Sequence, residues 1–384
     1  MLDRTYREIL SHEEYRFVCE TRAFMQEVIA PYAAQIDRDD DVPQEVFEAL
    51  KPYMSVSIPE AYGGQGKGLL YDCLVIQELG AVSPALVTFI EVAQLFAHAI
   101  EIGGTEAQKK KYLGKLCQGM VGAYALTDTG PGSDPANMGT TATRERQGWR
   151  IRGQKRHITF ADIAELMVVF ARTPHEGGDK SVGTFILEAP YDGFDFIRRS
   201  EWSGLRGHKA WEFSLDTYTE ELIGGPDQGL QIALGVLNST RTTLACGHLG
   251  LAQTALDMAI RFSKEREVAG QAIYKNQGIS FPLIETAAKI EGARLLSYRA
   301  ARMHDAGRDH RAETSMAKFA AAEALIEAVT VANRVLGGFS GNLDYPGDLY
   351  LRDAFTWVAA HGTIEVQKMT AARGLFSSRN PAAA

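Results

Sequence analysis

The segment best equipped for chemistry is Thr127-Asp128-Thr129-Gly130-Pro131-Gly132-Ser133-Asp134. Its glycines let main-chain N–H groups approach an anionic ligand, and Thr127 and Ser133 add hydroxyl donors. On these residues alone, a tight turn between domains is an equally good reading. The spacing is neither GxGxxG after a strand nor a Walker loop, which excludes a Rossmann or P-loop nucleotide site. Cys19, Cys73, Cys117 and Cys246 are far apart and never form CxxC. That excludes a disulfide scaffold and a thiolate zinc site, and free thiols in a cytoplasmic protein are expected. The 9 histidines are scattered without HxH or HxxxH pairs, so no metal centre is expected.

The elements that must position this turn come in three blocks. Apolar residues Phe17, Val18, Phe24, Met25, Val28, Ile29, Tyr32, Ala33 and Ile36 keep the three-four spacing of one buried helix face. Ser83-Pro84 opens a helix running to about Ile102, Gly103-Gly104 stops it, and Thr105 with Gln108 makes a capping box for the next. The middle changes period. Trp149, Ile151 and Gly153 alternate with Arg150, Arg152 and Gln154, and short apolar runs follow at 166–171, 182–187, 194–197 and 211–216. Short strands at this spacing read as a small β-barrel or sandwich. The last block is helical again: Leu249, Ala252, Leu256 and Ala259 share one face, and Leu325, Val329, Ala332 and Leu336 another. Long helices joined by short polar loops read as an antiparallel bundle. The fold class is therefore α+β: a helical domain over 1–120, a β-barrel or sandwich domain over 121–227, and a four-helix bundle over 228–384.

Composition narrows the partners. In 384 residues there are 40 Lys plus Arg and 48 Asp plus Glu, a balance of −8, which argues against nucleic acid. Hydrophobic residues at 45% and charged ones at 23% exclude a disordered chain. The longest purely apolar run is 166–171, far short of the roughly 18 residues a transmembrane helix needs, so no membrane partner is expected. Residues 1–13 carry Asp3, Arg4, Arg7, Glu8 and Glu13 and do not read as a secretory signal.

Set in order along the chain, several segments resemble the acyl-CoA dehydrogenase family. They are Tyr124-x-x-Thr127-Asp-x-Gly-x-Gly132-Ser133-Asp134, Arg152-Gly153-x-Lys155-x-His157-Ile158-Thr159, Leu205-Arg206-Gly207, Thr240-Arg241, Gly247-x-Leu249-Gly250, Glu265-Arg266, Gln277, Leu336-Gly337-Gly338, Arg352-Asp353 and Gly362-Thr363-x-Glu365-x-Gln367. The resemblance runs from about residue 10 to 376. It implies an FAD enzyme acting on acyl thioesters of coenzyme A or an acyl carrier protein, and a homotetramer or homodimer. A dehydrogenase of this kind implies an electron acceptor such as an electron-transfer flavoprotein. By the same resemblance, Tyr124, Thr127, Gly132 and Ser133 contact the flavin or its phosphates, and Thr159 meets flavin N5. Arg266 and Gln277 reach the FAD of a neighbouring subunit, and Gly337, Gly338, Thr363 and Glu365 line its adenosine and phosphate end. Arg241, Asn238 and Ser133 are implied contacts to the thioester ligand.

The chain departs from the family where the chemistry is decided. The motif before Gly362-Thr363 normally ends in Tyr-Glu, and that glutamate is the base; here it is Ala360-His361. The alternative carboxylate position before Arg241 holds Thr240. His361 can replace the base, since imidazole takes a proton near neutral pH, or it only fills the glutamate's space. Glu91 is the second candidate: it lies mid-helix beside Val87, Thr88 and Leu95, in a helix that borders the acyl pocket of the family, and a solvated helix charge is the alternative. His157 replaces a tryptophan that packs beside the flavin, with a core-packing histidine as the alternative. Arg334 replaces a glutamine on the FAD-contacting helix and can pair with a phosphate or face solvent. Loss of the base also admits elimination or oxygenation on an acyl-CoA, or ligand binding without turnover. Ala360 in place of an aromatic points to room for a branched or cyclic acyl group.

Overall fold

The structure, a computed structural model, describes residues 2–130, 132–177, 181–342 and 344–376. The first long helix, His12–Phe24, starts at a capping box in which Ser11 and Glu14 satisfy each other's main-chain N–H. The apolar spacing predicts one helix through residue 36. Instead a π-turn spans Met25–Ile29, a 3-10 turn Ala30–Tyr32, and a short helix Ala33–Asp39. Pro31 is the cause: it has no N–H to give, and its ring crowds the preceding turn. Val28 is thereby left 39% exposed, while Val18, Met25, Ile29 and Ile36 remain buried.

Helix Pro84–Gly103 forms as its signals require, and the Thr105–Gln108 capping box starts helix Glu106–Cys117. Pro84–Gly103 is apolar and long enough by composition to cross a bilayer, but 89% of that stretch is buried within the protein, so it is a core helix.

The chain packs as two units, one made of Gln26–Asp72 and Ala85–Thr240, the other of the stretches up to Met25, Cys73–Pro84 and from Arg241 onward. The first unit holds one eight-stranded sheet: β1 (Gly122–Ala125), β2 (Thr141–Glu145), β3 (Gly148–Thr159), β4 (Leu166–Arg172), β5 (Val182–Glu188), β6 (Phe194–Arg199), β7 (Ala210–Thr219) and β8 (Leu222–Ile223). Its path is β6-β7-β3-β2-β4-β5-β8, with β1 added alongside β4. β1 and β2 run parallel to β4, and the other pairs are antiparallel. Trp149, Ile151, Phe185, Phe213 and Leu215 fill the inner face. Each such side chain contributes roughly 1.5–3 kcal/mol on burial. Outward on β3, Arg150 and Arg152 both pair with Asp216 of β7.

The second unit is helical, built on Gly229–Glu265 from Arg241 onward, Gln277–Asp305, Arg311–Leu336, Gly347–Trp357 and Ile364–Phe376. Leu325, Val329, Ala332 and Leu336 are all buried, as their spacing predicts. The last turns of helix Leu69–Gly80 cross the Gly229–Glu265 helix at Gly80, Gly247 and Gly250. A Cβ on Gly250 would lie 2.1 Å from the Gln77 carbonyl oxygen, so only glycine allows that approach. Beside the crossing, Glu78 accepts from Tyr6 at 2.7 Å and Arg22 at 2.9 Å, and Gln77 accepts from Tyr298 at 3.0 Å.

Candidate active site

In the sheet unit, the glycine-rich turn leaves β1 at Ala125 and is tied down from beneath. Asp128 accepts main-chain N–H bonds from Thr129 and Thr140, both at 2.8 Å. Lys155, fully buried on the inner face of β3, donates to the Leu126 carbonyl at 3.1 Å and stands 3.8 Å from Asp128. Burial pushes the Lys155 amine down to about 8, against the pull of Asp128. Burial alone would raise Asp128, but Lys155 and the two amides hold it below the usual carboxylate range. The pair is lopsided: the carboxylate gains more from its partners than the desolvated ammonium does. Thr127, Gly130, Gly132, Asp134 and Pro135 line a shallow cleft. Ser133 is exposed, and Tyr124 packs edge-on against Phe170 with ring centroids 5.0 Å apart.

The end of β3 carries unusual backbone. The β3–β7 register shifts between Lys155 and Ile158, and His157 and Phe160 take left-handed φ of 56° and 52°. Across the sheet, Leu205 and Gly207 do the same at 53° and 93°. Strain of this kind, about 1–2 kcal/mol per non-glycine residue, persists only where surroundings enforce it, and it gathers at functional sites. It turns His157 outward, where Nδ1 meets the Ser200 hydroxyl at 2.9 Å and the ring tilts on Trp202 at 5.2 Å. His157 is exposed, which removes the core-packing alternative. Thr159 Oγ1 lies 2.8 Å from His208 Nε2. Burial, then Arg199 and His157, drives the His208 pKa to about 4, so the ring is neutral at pH 7.

Helix Pro84–Gly103 buries Glu91 to 3% exposure, which overturns the solvated-charge alternative. One turn on, Gln94 is also buried, and neither its Nε2 nor its Oε1 has a hydrogen-bond partner among the described residues. His98, on the same face, bonds Glu101 at 2.8 Å.

In the helical unit, His361 sits in the turn between Gly347–Trp357 and Ile364–Phe376 with a left-handed φ of 54°. Three buried side chains grip that turn. Arg241 Nε donates to the His361 carbonyl at 2.9 Å, Gln367 Nε2 to the same oxygen at 3.2 Å, and Lys318 Nζ to the Val358 and Gly362 carbonyls at 2.6 and 3.0 Å. His248, fully buried, meets the Trp357 ring edge-on at 4.8 Å. Burial, then Lys318 and His361, holds its pKa well below the usual value. Thr363 Oγ1 accepts the Val366 N–H at 3.3 Å, and the exposed Glu365 carboxyl is held below its ordinary value by its own main-chain amide and by Thr363.

The far end of the bundle brings Arg266 over the Phe339 ring at 5.6 Å, beside the Gly337–Gly341 turn. Among the described residues, chain neighbours apart, nothing lies within 4 Å of where a Cβ would stand on Gly337 or Gly338. Gln277, first residue of its helix, and Arg334 are exposed, and Asn238 is half-buried. Sequence reasoning missed Asp128, Lys155, His208, Lys318 and Gln94 as site-forming residues. Lys155 was within reach, because it continues the inward series of Trp149 and Ile151.

A helical segment, a mixed sheet and a helical bundle, with main-chain donors at a glycine-rich turn and an imidazole on a clamped loop, define an enzyme of the acyl-CoA dehydrogenase-like flavoenzyme class. The family descriptions "Acyl-CoA dehydrogenase" N-terminal, middle and C-terminal domain match residues 11–120, 123–218 and 227–376. An acyl-CoA dehydrogenase of Bacillus subtilis (strain 168) is 33% identical over 362 residues, covering 92% of this chain and 96% of the relative. Butyryl-CoA dehydrogenase from Megasphaera elsdenii superposes with a TM-score of 0.91 at 29% identity, covering 95% of this chain and 98% of that one. A chain solved in work on the electron transferring flavoprotein of Acidaminococcus fermentans gives 0.92 at 31% identity, covering 96% and 99%. The chain belongs to the acyl-CoA dehydrogenase family.

Proposed function

We propose that this protein oxidises an acyl thioester, carried on coenzyme A or an acyl carrier protein, with FAD as cofactor and His361 as the base for the α-proton. The observation that carries the assignment is the grip on the His361 turn: Arg241, Gln367 and Lys318 fix the carbonyls of residues 358, 361 and 362. An imidazole on so rigid a main chain is suited to take a proton at one fixed place. Glu91 is the runner-up base, supported by its burial in a core helix.

The residues fit the cofactor. Thr127, Gly132 and Ser133 offer donors on an open turn, and space around Gly337 and Gly338 leaves main chain accessible to a phosphate or adenosine. Within the sheet unit, Tyr124, His157 and Thr159 would hold the isoalloxazine end; within the helical unit, Thr363 and Glu365 offer a hydroxyl and a carboxylate suited to an adenosine. Bound FAD supplies the hydride acceptor. Arg266 and Gln277 would serve the cofactor of a second copy, which makes the enzyme a homodimer or homotetramer. Exposed Ile284, Leu375 and Phe376, at 65%, 77% and 82%, support association between copies. The likeness to a chain studied with an electron transferring flavoprotein supports an acceptor of that kind, and four free cysteines support a reducing, cytoplasmic setting.

Anaerobic titration with a panel of acyl thioesters, following flavin bleaching, tests the assignment. His361→Ala is expected to abolish bleaching by the thioester that reduces the parent, and Glu91→Gln to leave it measurable. The reverse result transfers the role to Glu91. One observation favours a second reading: both usual base positions lack a carboxylate, holding His361 and Thr240. Turnover without an external acceptor would then mark elimination, and turnover needing oxygen would mark oxygenation.

A further inference from the structure

We infer that His208 is a positioning residue for Thr159, giving its Nε2 proton to the Thr159 oxygen so that the hydroxyl proton of Thr159 points to the cofactor. The inference rests on the reading above that Thr159 meets the isoalloxazine edge. Thr159 is paired with Ala210 across β3 and β7, and His208 lies just ahead of Ala210, so the sheet itself brings the two side chains to 2.8 Å.

The imidazole is held on several sides. Its main-chain N–H donates to the Leu205 carbonyl at 2.9 Å, and the neighbouring Gly207 N–H donates to Asp40 at 2.8 Å. Its ring stacks on Trp202 at 6.4 Å and 22°, and meets Phe160 edge-on at 6.1 Å. The charged and titratable groups acting on it are Arg199, His157 and Asp40, with Arg199 itself paired to Asp40 at 2.7 Å. A neutral imidazole has one N–H to place. His208 Nδ1 is buried without a hydrogen-bond partner among the described residues. A proton there would be an orphaned buried donor, which proteins tolerate less than an unmet acceptor. The proton therefore belongs on Nε2, facing Thr159. Thr159 then accepts from His208 and has only its own proton to offer outward, which suits the acceptor nitrogen of oxidised isoalloxazine. Removing His208 frees the hydroxyl to turn, and the preference for oxidised cofactor is lost.

The experiment is the midpoint potential of bound FAD in the purified holoenzyme and in His208→Phe, His208→Gln, Thr159→Val and the His208→Phe/Thr159→Val double variant. His208→Phe keeps the ring packing and removes the bond. It is expected to raise the reduced-to-oxidised ratio about tenfold at fixed applied potential, roughly 30 mV for a two-electron couple. His208→Gln, whose amide reaches the same oxygen, is expected to return most of the way to the parent. The double variant is expected to match Thr159→Val alone, because both act through one hydroxyl. If His208→Phe does not fold, His208→Asn takes its place, its amide falling one bond short. A Thr159→Val shift with no shift on losing His208 overturns the role of His208 and leaves the Thr159 reading standing. No shift in Thr159→Val overturns both.

Discussion

Lys155 in the sheet unit and Lys318 in the helical unit are both fully buried, and both donate to main-chain carbonyls beside residues of the candidate site. Lys155 holds Leu126 at the root of the glycine-rich turn, with Asp128 at 3.8 Å as counter-charge. Lys318 holds Val358, the C-cap of helix Gly347–Trp357, and Gly362, next to His361. One lysine is thus set against a carboxylate, the other against the negative end of a helix, where carbonyls lack partners. The contrast teaches that the same residue type locks two loops by different means. The turn proposed to carry phosphates depends on a charge pair, and the turn proposed to carry the base depends on a helix end.

The sharpest way to break the comparison is Lys155→Met. It leaves Asp128 buried without its cation, and losses of about 3–5 kcal/mol follow when one member of a buried pair is removed. Urea denaturation of parent and variant measures it, and adding Asp128→Asn is expected to recover part of the loss. A cost under about 1 kcal/mol would show that the pair does not support the turn. Lys318→Met comes next. It removes two charge-assisted bonds to carbonyls, each worth about 1.5–3 kcal/mol, offset in part by relief of the buried ammonium's desolvation, so a net loss on the order of 2–3 kcal/mol is expected. Because the His361 turn loosens, flavin reduction by an acyl thioester is expected to slow at least about tenfold, a rise of about 1.4 kcal/mol in the barrier. A stability loss with unchanged reduction would separate Lys318 from the base.

The legibility of these features in the sequence follows the same divide. Helix Pro84–Gly103 and the Thr105–Gln108 capping box were readable because they depend on neighbours in the chain. The break at Met25–Ile29 is not legible in this way, since the three-four apolar spacing runs straight through it and a single proline, Pro31, marks it. Lys155 follows the inward alternation of β3, and Lys318 lies seven residues before Leu325 on the face that continues to Val329 and Leu336; in both, charge disguised position. His208 could not be seen at all from local spacing. It meets Thr159 only because β7 pairs with β3, a contact 49 residues apart in the chain. The glycine-rich turn is legible in its own glycines and hydroxyls and the His361 position through the family resemblance, whereas the buried side chains gripping them are products of tertiary packing.

The smallest expected effect tests the electrostatic half of the comparison directly. The folded Lys155 amine loses its proton at about 8, well below the ordinary lysine value of 10.5. Between those values the unfolded chain binds more protons than the folded one, so stability rises with pH. The cost of keeping Lys155 charged is fully present below pH 8 and is relieved as pH climbs through it. The gain is on the order of 1 kcal/mol between pH 7 and 9. Denaturation midpoints across that range should therefore rise more in the parent and in Lys318→Met than in Lys155→Met, which has no amine to titrate. Equal slopes in all three proteins would mean that the Lys155 amine titrates like an ordinary lysine, and the contrast between the two grips would then be one of geometry alone.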